Sequence, residues 1–493
     1  MKRILYYISV AIVWLAAASS CFAEFPMGGL AHTAGEMGLA AKQVDEYNKA
    51  CGIFFSMLAS AGAYVPENST EMKYLHYYGW EFTPHRATVG KTVVHYITAK
   101  GKVMDGTPLY VVSFRGSVDK KDWTTDLTTA QVVYGGNSLE ESEKIAGILG
   151  RNPDGIDTEV ADAGNGTSRP AMDTGLQEEK KESGKTTLPS VHKGFNSYAD
   201  AALRALLEPS GFLEQYRAET GARLLLTGHS LGGAVAALVG QRLIDFGFDP
   251  ARLQVITFGA PAIGNKVFAQ EYGSRMNLIR VTNTQDPIPL TMQAVLRNYK
   301  QFGEEVRFRI PKTFNNVNHV LNLYLDFGLR YYYNTFDKAV AYGIVREWPD
   351  AGQSVPGKPV VLLHVKRDEA ARLKETAAVL ERFMLNEYRR LLPNYIIAPP
   401  GSDPYETMRE SGADYLLLLE FAAVPSRENN SWYLTLEQTL SDKEGKVLAV
   451  GSVTKHTSPL AGNILAAMEA VEIQREELLR HMPWLTGAGS VKQ

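Results

Sequence analysis

The sequence predicts an α/β fold with a central, mostly parallel sheet, followed by a small α+β domain at the carboxyl end. Three observations support this prediction. Short apolar runs alternate with helical segments between residues 92 and 282. One of these runs leads through a Gly-x-Ser-x-Gly turn directly into an apolar helix. Near residues 348–359 the composition shifts to Gly, Pro and Ser, as in a linker, and a second group of strand and helix patterns follows.

The chain is organised around residues 224–238, which read LLLTGHSLGGAVAAL. An apolar strand pattern gives way there to an apolar helix, and Gly228, Ser230 and Gly232 form the turn between them. This is the setting of a nucleophile elbow, in which small neighbours let a serine hydroxyl stand exposed at the top of a sheet. The helix directs its free N–H groups and its positive dipole end at the same place. Ser230 is therefore the candidate nucleophile.

Residues 1–23 have the pattern of an export signal peptide. Two basic residues are followed by an apolar stretch over residues 4–18 and by small residues up to Ala23. The stretch is too short to span a membrane comfortably, so cleavage after Ala23 is expected. In an alternative interpretation, Cys21 is the lipidated cysteine of a lipoprotein. Either way the sequence predicts an exported protein, secreted or held in a bacterial cell envelope.

Net charge and cysteine content exclude some kinds of partner and some sources of stability. The 493-residue chain has a formal net charge of −3, which gives no indication of a nucleic-acid partner. It has two cysteines, so Cys51 cannot form an internal disulfide once Cys21 leaves with the signal. Stability must then come from core packing, which a chain of this length can supply.

Before the elbow, residues 24–65 have helical spacing and predict a helical cover. Thr92–Thr98 and Leu109–Phe114 are β-branched and aromatic runs that predict neighbouring strands. Polar residues dominate 135–188, where no aromatic residue occurs. Because such a segment cannot bury enough apolar surface to order itself, it predicts a disordered insertion or, alternatively, a mobile cover over the site.

After the elbow, Leu253–Phe258 and Leu278–Thr282 predict two further strands, which complete a first domain within residues 24–350. Residues 357–485 carry the order β-α-β-α-β-β-β-α of a small α+β domain with no catalytic motif. The turn 442–445 predicts a hairpin. The strand and helix candidates of this domain are, in order, 359–365, 369–391, 395–398, 405–410, 415–423, 432–440, 447–454 and 463–479.

A serine hydroxyl becomes a good nucleophile when a base, usually a histidine oriented by a carboxylate, removes its proton. In elbow enzymes the chain order is serine, acid, histidine. Asp286 follows a strand candidate in a proline-stiffened turn, whereas its rivals Asp245 and Asp249 fall at the far end of the elbow helix. His319 is the one histidine between Asp286 and the linker. We expect Asp286 and His319 to be the acid and the base, with a turn cap and a structural histidine as the alternatives.

Two other histidines are weaker candidates for the base. His229 adjoins the serine, but its side chain is expected on the other side of the elbow. His192 precedes the serine and so falls in the wrong order along the chain.

The tetrahedral intermediate of acyl transfer carries an oxyanion and needs preorganised N–H donors. The backbone N–H of Leu231, directly after the nucleophile, is one candidate donor. Ser117 is the other, because it ends a Phe-Arg-Gly-Ser turn after an earlier strand, although a plain turn serine remains the alternative. No His, Cys or Asp cluster has metal-ligand spacing, so neither a metal nor another cofactor is expected.

A series of motifs extends over roughly residues 75–335. They are FRGS at 114–117 with DW and D at 122, 123 and 126, VHKGF at 191–195, TGHSLGGA at 227–234, TFGAPAIGN at 257–265, RVTNTQDPIP at 280–289, and His319 with Tyr324. In this order the motifs resemble those of the fungal-type, class 3 triacylglycerol lipase family, which has the α/β-hydrolase fold. The long insertion and the spacing around His319 depart from the family pattern.

The resemblance implies roles for particular residues. Ser230, Asp286 and His319 would form the catalytic triad. Ser117 and Leu231 would build the oxyanion hole. A short lid with a tryptophan near its tip follows FRGS in relatives, and Trp123 corresponds to that tryptophan by position.

By this resemblance the chain is expected to hydrolyse carboxylic ester bonds of lipids at a lipid–water interface, through an acyl-enzyme. A phospholipase A1-like or other carboxylesterase activity is the alternative. A non-catalytic envelope scaffold is a third possibility, which the complete set of site residues opposes. The C-terminal domain is similar to small modules of bacterial envelope proteins, and the sequence does not identify which protein partners it has.

Overall fold

The computed structural model of the protein describes residues 34–103, 106–117, 130–135, 188–208, 211–295, 298–309, 319–347, 351, 355–366, 374–426, 432–457 and 463–482. The predicted export signal with Cys21, the candidate lid residue Trp123 and nearly all of the 135–188 segment lie outside these residues. Within them, no helix has both the length and the apolarity needed to cross a bilayer.

Nine strands of the described residues precede the linker. They are β1 (Thr83–Val89), β2 (Thr92–Lys102), β3 (Pro108–Phe114), β4 (Gln131–Val133), β5 (Ser190–His192), β6 (Arg223–His229), β7 (Leu253–Phe258), β8 (Asn277–Asn283) and β9 (Glu304–Phe308). Seven of them form one sheet in the order β1-β2-β3-β6-β7-β8-β9, and β4 pairs separately with β5. The five strands from β3 to β9 run parallel, whereas β1 and β2 pair antiparallel. The predicted mostly parallel sheet is confirmed.

Helices cover both faces of this sheet. They are α1 (Ala34–Gly62), α2 (Thr70–Tyr77), α3 (Lys193–Leu206), α4 (Phe212–Ala218), α5 (Leu231–Asp245), α6 (Lys266–Tyr272), α7 (Ile288–Val295) and α8 (Leu321–Ala341). Successive residues of β6 bury on opposite faces, as the pleat requires. Leu224 and Leu226 pack in the cluster of α3 and α5, whereas Leu225 packs in that of α1 and α8. Burial on both faces explains why β6 is a continuous apolar run.

The sequence patterns missed β1 and β9, the two edge strands of the sheet. β1 reads TPHRATV and β9 reads EEVRF, and neither has the continuous apolar run that marked the central strands. Most of their side chains are exposed or half-buried, so the burial that creates an apolar pattern is weak at these positions.

The second sheet follows the linker. Its elements are β10 (Val360–Lys366), α9 (Lys374–Arg389), β11 (Asn394–Ile397), α10 (Pro404–Ser411), β12 (Tyr415–Pro425), β13 (Trp432–Asp442), β14 (Val447–Thr457) and α11 (Asn463–His481). The strand order is β11-β10-β12-β13-β14. This confirms the predicted α+β order. At the β13–β14 hairpin, the Asp442 carboxylate accepts from the N–H groups of Glu444 and Lys446.

Helices α9 and α11 of this second unit pack against α2 and α8 of the first. A buried ion pair lies between them, with Arg475 of α11 2.6 Å from Glu387 of α9. The hydroxyl of Tyr78, which follows α2, donates to the same carboxylate at 3.1 Å. Burial raises the pKa of Glu387, and the Arg475 guanidinium opposes this shift. The ion pair thus joins the two helices of the second unit, and Tyr78 adds a hydrogen bond to it from the first unit.

Helix α8 supplies a second link. The carboxylate of Asp326 accepts from the N–H of Ile464, in the first turn of α11, at 3.1 Å. This is a helix N-terminal cap provided by a residue far away in the chain. Further along α8, the Tyr333 hydroxyl accepts from the side-chain amide of Asn386 on α9.

Candidate active site

The turn between β6 and α5 holds Ser230 in an unusual backbone conformation. Its φ of 58° and ψ of −127° make it the one non-glycine residue with positive φ in the described part of the chain. Its N–H donates to the carbonyl of Phe258, at the end of β7, at 2.9 Å. A neighbouring strand thus holds the turn, as expected where a functional residue stores backbone strain.

The glycine two residues later lets another strand approach the turn. A Cβ atom at Gly232 would lie 2.1 Å from the carbonyl oxygen of Phe114, the last residue of β3. Only glycine therefore allows the end of β3 and the loop after it to lie against the first turn of α5.

Three side chains predicted from chain order meet at this edge of the sheet. His319 Nε2 lies 2.8 Å from Ser230 Oγ, and His319 Nδ1 lies 2.6 Å from Asp286 Oδ2. Ser230 follows β6, Asp286 follows β8, and His319 lies two residues before α8. Because parallel strands end at the same edge, residues that are distant in the chain come together there. The arrangement suits proton transfer from the serine hydroxyl to the imidazole.

Asp286 is buried, with 3% of its surface exposed. Besides the imidazole, its Oδ2 atom accepts from the Tyr324 hydroxyl at 2.5 Å, and its Oδ1 atom accepts from the Ile288 N–H at 2.9 Å. Burial raises the pKa of Tyr324 well above its usual value, and the Asp286 carboxylate adds to the shift. Tyr324 therefore stays a hydrogen-bond donor near neutral pH. These three donors compensate the buried carboxylate for its lost hydration.

The prediction that His229 points away from the site is wrong. Its ring stacks on the ring of His319, with centroids 4.6 Å apart and an interplanar angle of 30°. Burial lowers the pKa of His229 well below its usual value, and the charge of His319 adds to this effect. His229 is therefore a neutral ring packed against the candidate base.

The alternative residues for the acid and the base make hydrogen bonds that cap helices or join elements of the fold. His192 precedes α3, where its Nδ1 accepts from the Phe195 N–H at 3.3 Å. Asp245, the last residue of α5, accepts from the Tyr134 hydroxyl at 2.6 Å. Asp249 caps a short 3₁₀ turn. None of these hydrogen bonds involves Ser230.

The two candidate oxyanion donors lie on adjoining segments. Leu231 is the first residue of α5, so its N–H has no acceptor within the helix. Ser117 is half-buried in the loop that follows β3. The close approach of that loop to α5 brings the two segments to the same end of the sheet.

Sequence reasoning missed two residues of the site. The motif series includes Tyr324 but does not predict its hydrogen bond to Asp286, which the structure shows. Tyr64, which follows α1, contacts both the loop after β3 and the elbow. In the described residues, no three His, Cys, Asp or Glu side chains are grouped so that they could hold a metal ion.

Comparison with known proteins gives a family match over the elbow and the candidate acid. The family model described as Lipase (class 3) matches residues 163–296. A protein of Saccharomyces cerevisiae with the provisional name lipase LIH1 is 24% identical over 257 residues, which are 50% of this chain and 64% of that protein. The secreted mono- and diacylglycerol lipase A of Penicillium cyclopium is 38% identical over 66 residues, 13% of this chain and 21% of that protein.

One of the solved structures that it resembles is the triacylglyceride lipase of Rhizomucor miehei, with 18% identity and a TM-score of 0.36. The match covers 56% of this chain and 82% of that one. The chain spans less than two thirds of the length of either curated relative. Over residues 163–296, which hold the elbow and the candidate acid, this chain is similar to the class 3 lipases.

Proposed function

We propose that this chain is a serine hydrolase that cleaves carboxylic ester bonds of lipids, as a triacylglycerol lipase does. The observation that carries the proposal is the hydrogen-bonded series from Ser230 through His319 to Asp286, at 2.8 and 2.6 Å. Such a series on a nucleophile elbow is the arrangement that acyl transfer to serine requires.

In the first half-reaction, Ser230 Oγ attacks the ester carbonyl while His319 Nε2 accepts its proton. Asp286 fixes the orientation of the imidazole and stabilises the imidazolium that forms. The N–H groups of Ser117 and Leu231 stabilise the oxyanion of the tetrahedral intermediate. His319 then gives its proton to the leaving alcohol, and an acyl-enzyme remains.

In the second half-reaction, water replaces the alcohol. His319 removes a proton from the water as it attacks the acyl-enzyme, and a second tetrahedral intermediate forms at the same donors. Collapse of this intermediate releases the carboxylic acid, and Ser230 recovers its proton from His319. The chain's own residues carry each of these proton transfers.

The proposed location is outside the cytoplasm, in a secreted or envelope-bound form. The pattern of residues 1–23 supports export, and one relative is named as a secreted lipase. Mass spectrometry of the mature protein tests this. An N-terminus at Glu24 supports cleavage by signal peptidase, and a lipid-modified Cys21 supports a lipoprotein. An unprocessed N-terminus at Met1 on exported protein contradicts both.

The activity is tested with p-nitrophenyl esters of short to long acyl chains and with emulsified triacylglycerol and phospholipid. Ser230→Ala, Asp286→Ala and His319→Ala should each reduce kcat/KM by about 1,000-fold or more. Matched controls remove the same side chains away from the site, in Ser197→Ala, Asp249→Ala and His456→Ala, and should keep activity within about twofold of wild type, since surface substitutions change little.

Each outcome of this experiment has a clear meaning. Loss in the three site variants, with folded protein and active controls, supports the proposed roles. Activity retained in His319→Ala refutes its role as the base. A folded wild type that cleaves none of these esters refutes the proposal itself. Cleavage of phospholipid in preference to triacylglycerol would replace the lipase assignment by a phospholipase.

A further inference from the structure

Tyr64 lies just beyond α1, and its ring and the ring of His229 form a T-shaped contact with centroids 6.1 Å apart. Its hydroxyl oxygen accepts from the N–H of Gly116 at 2.9 Å. The same hydroxyl donates to the backbone carbonyl of His229 at 3.3 Å and lies 3.4 Å from His229 Nδ1. One phenol therefore connects the loop after β3 with the residue immediately before Ser230.

The loop backbone fits closely between this phenol and the elbow. A Cβ atom at Gly116 would lie 2.3 Å from the Tyr64 hydroxyl oxygen and 2.7 Å from the carbonyl oxygen of His229. It would also lie 3.3 Å from the backbone nitrogen of Gly232. Glycine is thus the residue that lets the loop touch both partners. The contact is close enough to transmit a shift of Tyr64 to the loop.

The hydrogen bond also selects which backbone N–H groups can face the substrate. Because the N–H of Gly116 is directed at Tyr64, it is not available to an oxyanion. The next residue, Ser117, is the candidate donor, and the peptide that precedes it is held by the bond at Gly116. Burial raises the pKa of Tyr64, so the hydroxyl keeps the proton that it donates to His229.

We propose that Tyr64 is a positioning residue that fixes the oxyanion donor Ser117 relative to the donor Leu231 through its bonds to Gly116 and His229. This inference rests on the proposed ester hydrolysis. Tyr64 acts through the loop backbone and is not required to touch the substrate. Its effect should therefore appear where charge develops on the carbonyl oxygen, in the transition state, and much less in ground-state binding.

The test is Tyr64→Phe, which keeps the ring and removes the hydroxyl. With a p-nitrophenyl ester, we expect kcat to fall about ten- to a hundred-fold and KM to stay within about threefold, as for a misplaced oxyanion donor. The inhibition constant of a phenylboronic acid, which forms a tetrahedral adduct with the serine, should rise by a factor similar to the fall in kcat. Titration with a fluorophosphonate counts the competent fraction of each preparation, so poorly folded protein is corrected for.

The matched control is Tyr299→Phe. The hydroxyl of Tyr299 is buried and has no hydrogen-bond partner among the described residues, so its removal deletes a phenol without breaking such a bond. This variant should keep kcat and boronic acid affinity within about twofold of wild type, because no bonded partner is left unsatisfied.

The outcomes separate the inference from the function on which it rests. If wild type is active and Tyr64→Phe keeps kcat within about twofold, the inference is overturned while the proposed function stands. A rise in KM alone, or a fall in kcat without weaker boronic acid binding, also overturns it. A folded wild type that fails to cleave any ester removes the proposed function, and the inference with it.

Discussion

The buried His229 should make the stability of the fold depend on pH. An exposed histidine in the unfolded chain has a pKa near 6.5. In the folded protein, burial lowers the pKa of His229 well below this, with a further contribution from His319. As pH falls, the unfolded chain therefore takes up a proton that the folded protein does not, and the free energy of unfolding decreases.

The size of the effect follows from this difference. Between about pH 7.5 and about pH 5.5, a histidine of ordinary pKa goes from mostly neutral to mostly charged. If His229 stays neutral in the fold throughout this window, its contribution to the free energy of unfolding falls by about 1.4 kcal/mol. Other titrating groups also change the stability, so the contribution is measured as a difference between wild type and a variant.

Urea unfolding of wild type and His229→Gln at the two pH values measures this difference. We expect wild type to lose about 1.4 kcal/mol more than His229→Gln on acidification. Ser230→Ala is the control, because it alters the neighbouring residue without removing a titrating group, and it should behave as wild type. Equal losses in wild type and His229→Gln, within about 0.4 kcal/mol, would mean that His229 is protonated in the folded protein and would refute the reasoning.

Two further predictions concern buried polar contacts. Tyr324→Phe removes one of the donors to Asp286 and leaves the other two. Since a hydrogen bond to a charged group contributes about 1.5–3 kcal/mol, kcat should fall about ten- to a hundred-fold, and steady-state kinetics showing less than a twofold change would contradict this. Glu387→Gln and Arg475→Met should each lower the free energy of unfolding by about 3–5 kcal/mol, because either change leaves a buried group without its partner. The double variant should lose less than the sum, and strict additivity in urea unfolding would show that the two charges are not coupled.

The sequence was most informative where local pattern and function coincide. The turn at Ser230 is marked by a strand, small residues and a helix within one short stretch, so its conformation could be predicted before any contact was known. Asp286 could be chosen because it follows a strand candidate, and His319 because it is the one histidine between Asp286 and the linker. The structure brings these three side chains within hydrogen-bond distance. Their roles in catalysis remain predictions.

The remaining features of the fold and the site depend on contacts between residues far apart in the chain, which no local sequence pattern predicts. Tyr64 and Gly116 are 52 residues apart, and nothing near either residue identifies the other as its partner. His229 was placed incorrectly because the position of its ring depends on how His319 packs above it. The edge strands β1 and β9 lack an apolar pattern because much of their surface faces solvent. The buried pair of Glu387 and Arg475 becomes visible only when α9 and α11 pack together.

Helix α8 belongs to both halves of the molecule. It begins two residues after His319, its Tyr324 holds Asp286, and its Asp326 caps α11. A fragment that ends at the linker would therefore be destabilised, because the faces of α2 and α8 that α9 and α11 cover would be exposed to solvent. Engineering should treat the chain from α1 to α11 as the smallest unit worth expressing. Substitutions on α9 and α11 should likewise be constrained by their packing against α8. Poor packing there would displace α8 and, with it, Tyr324 and the Asp286 carboxylate that it contacts.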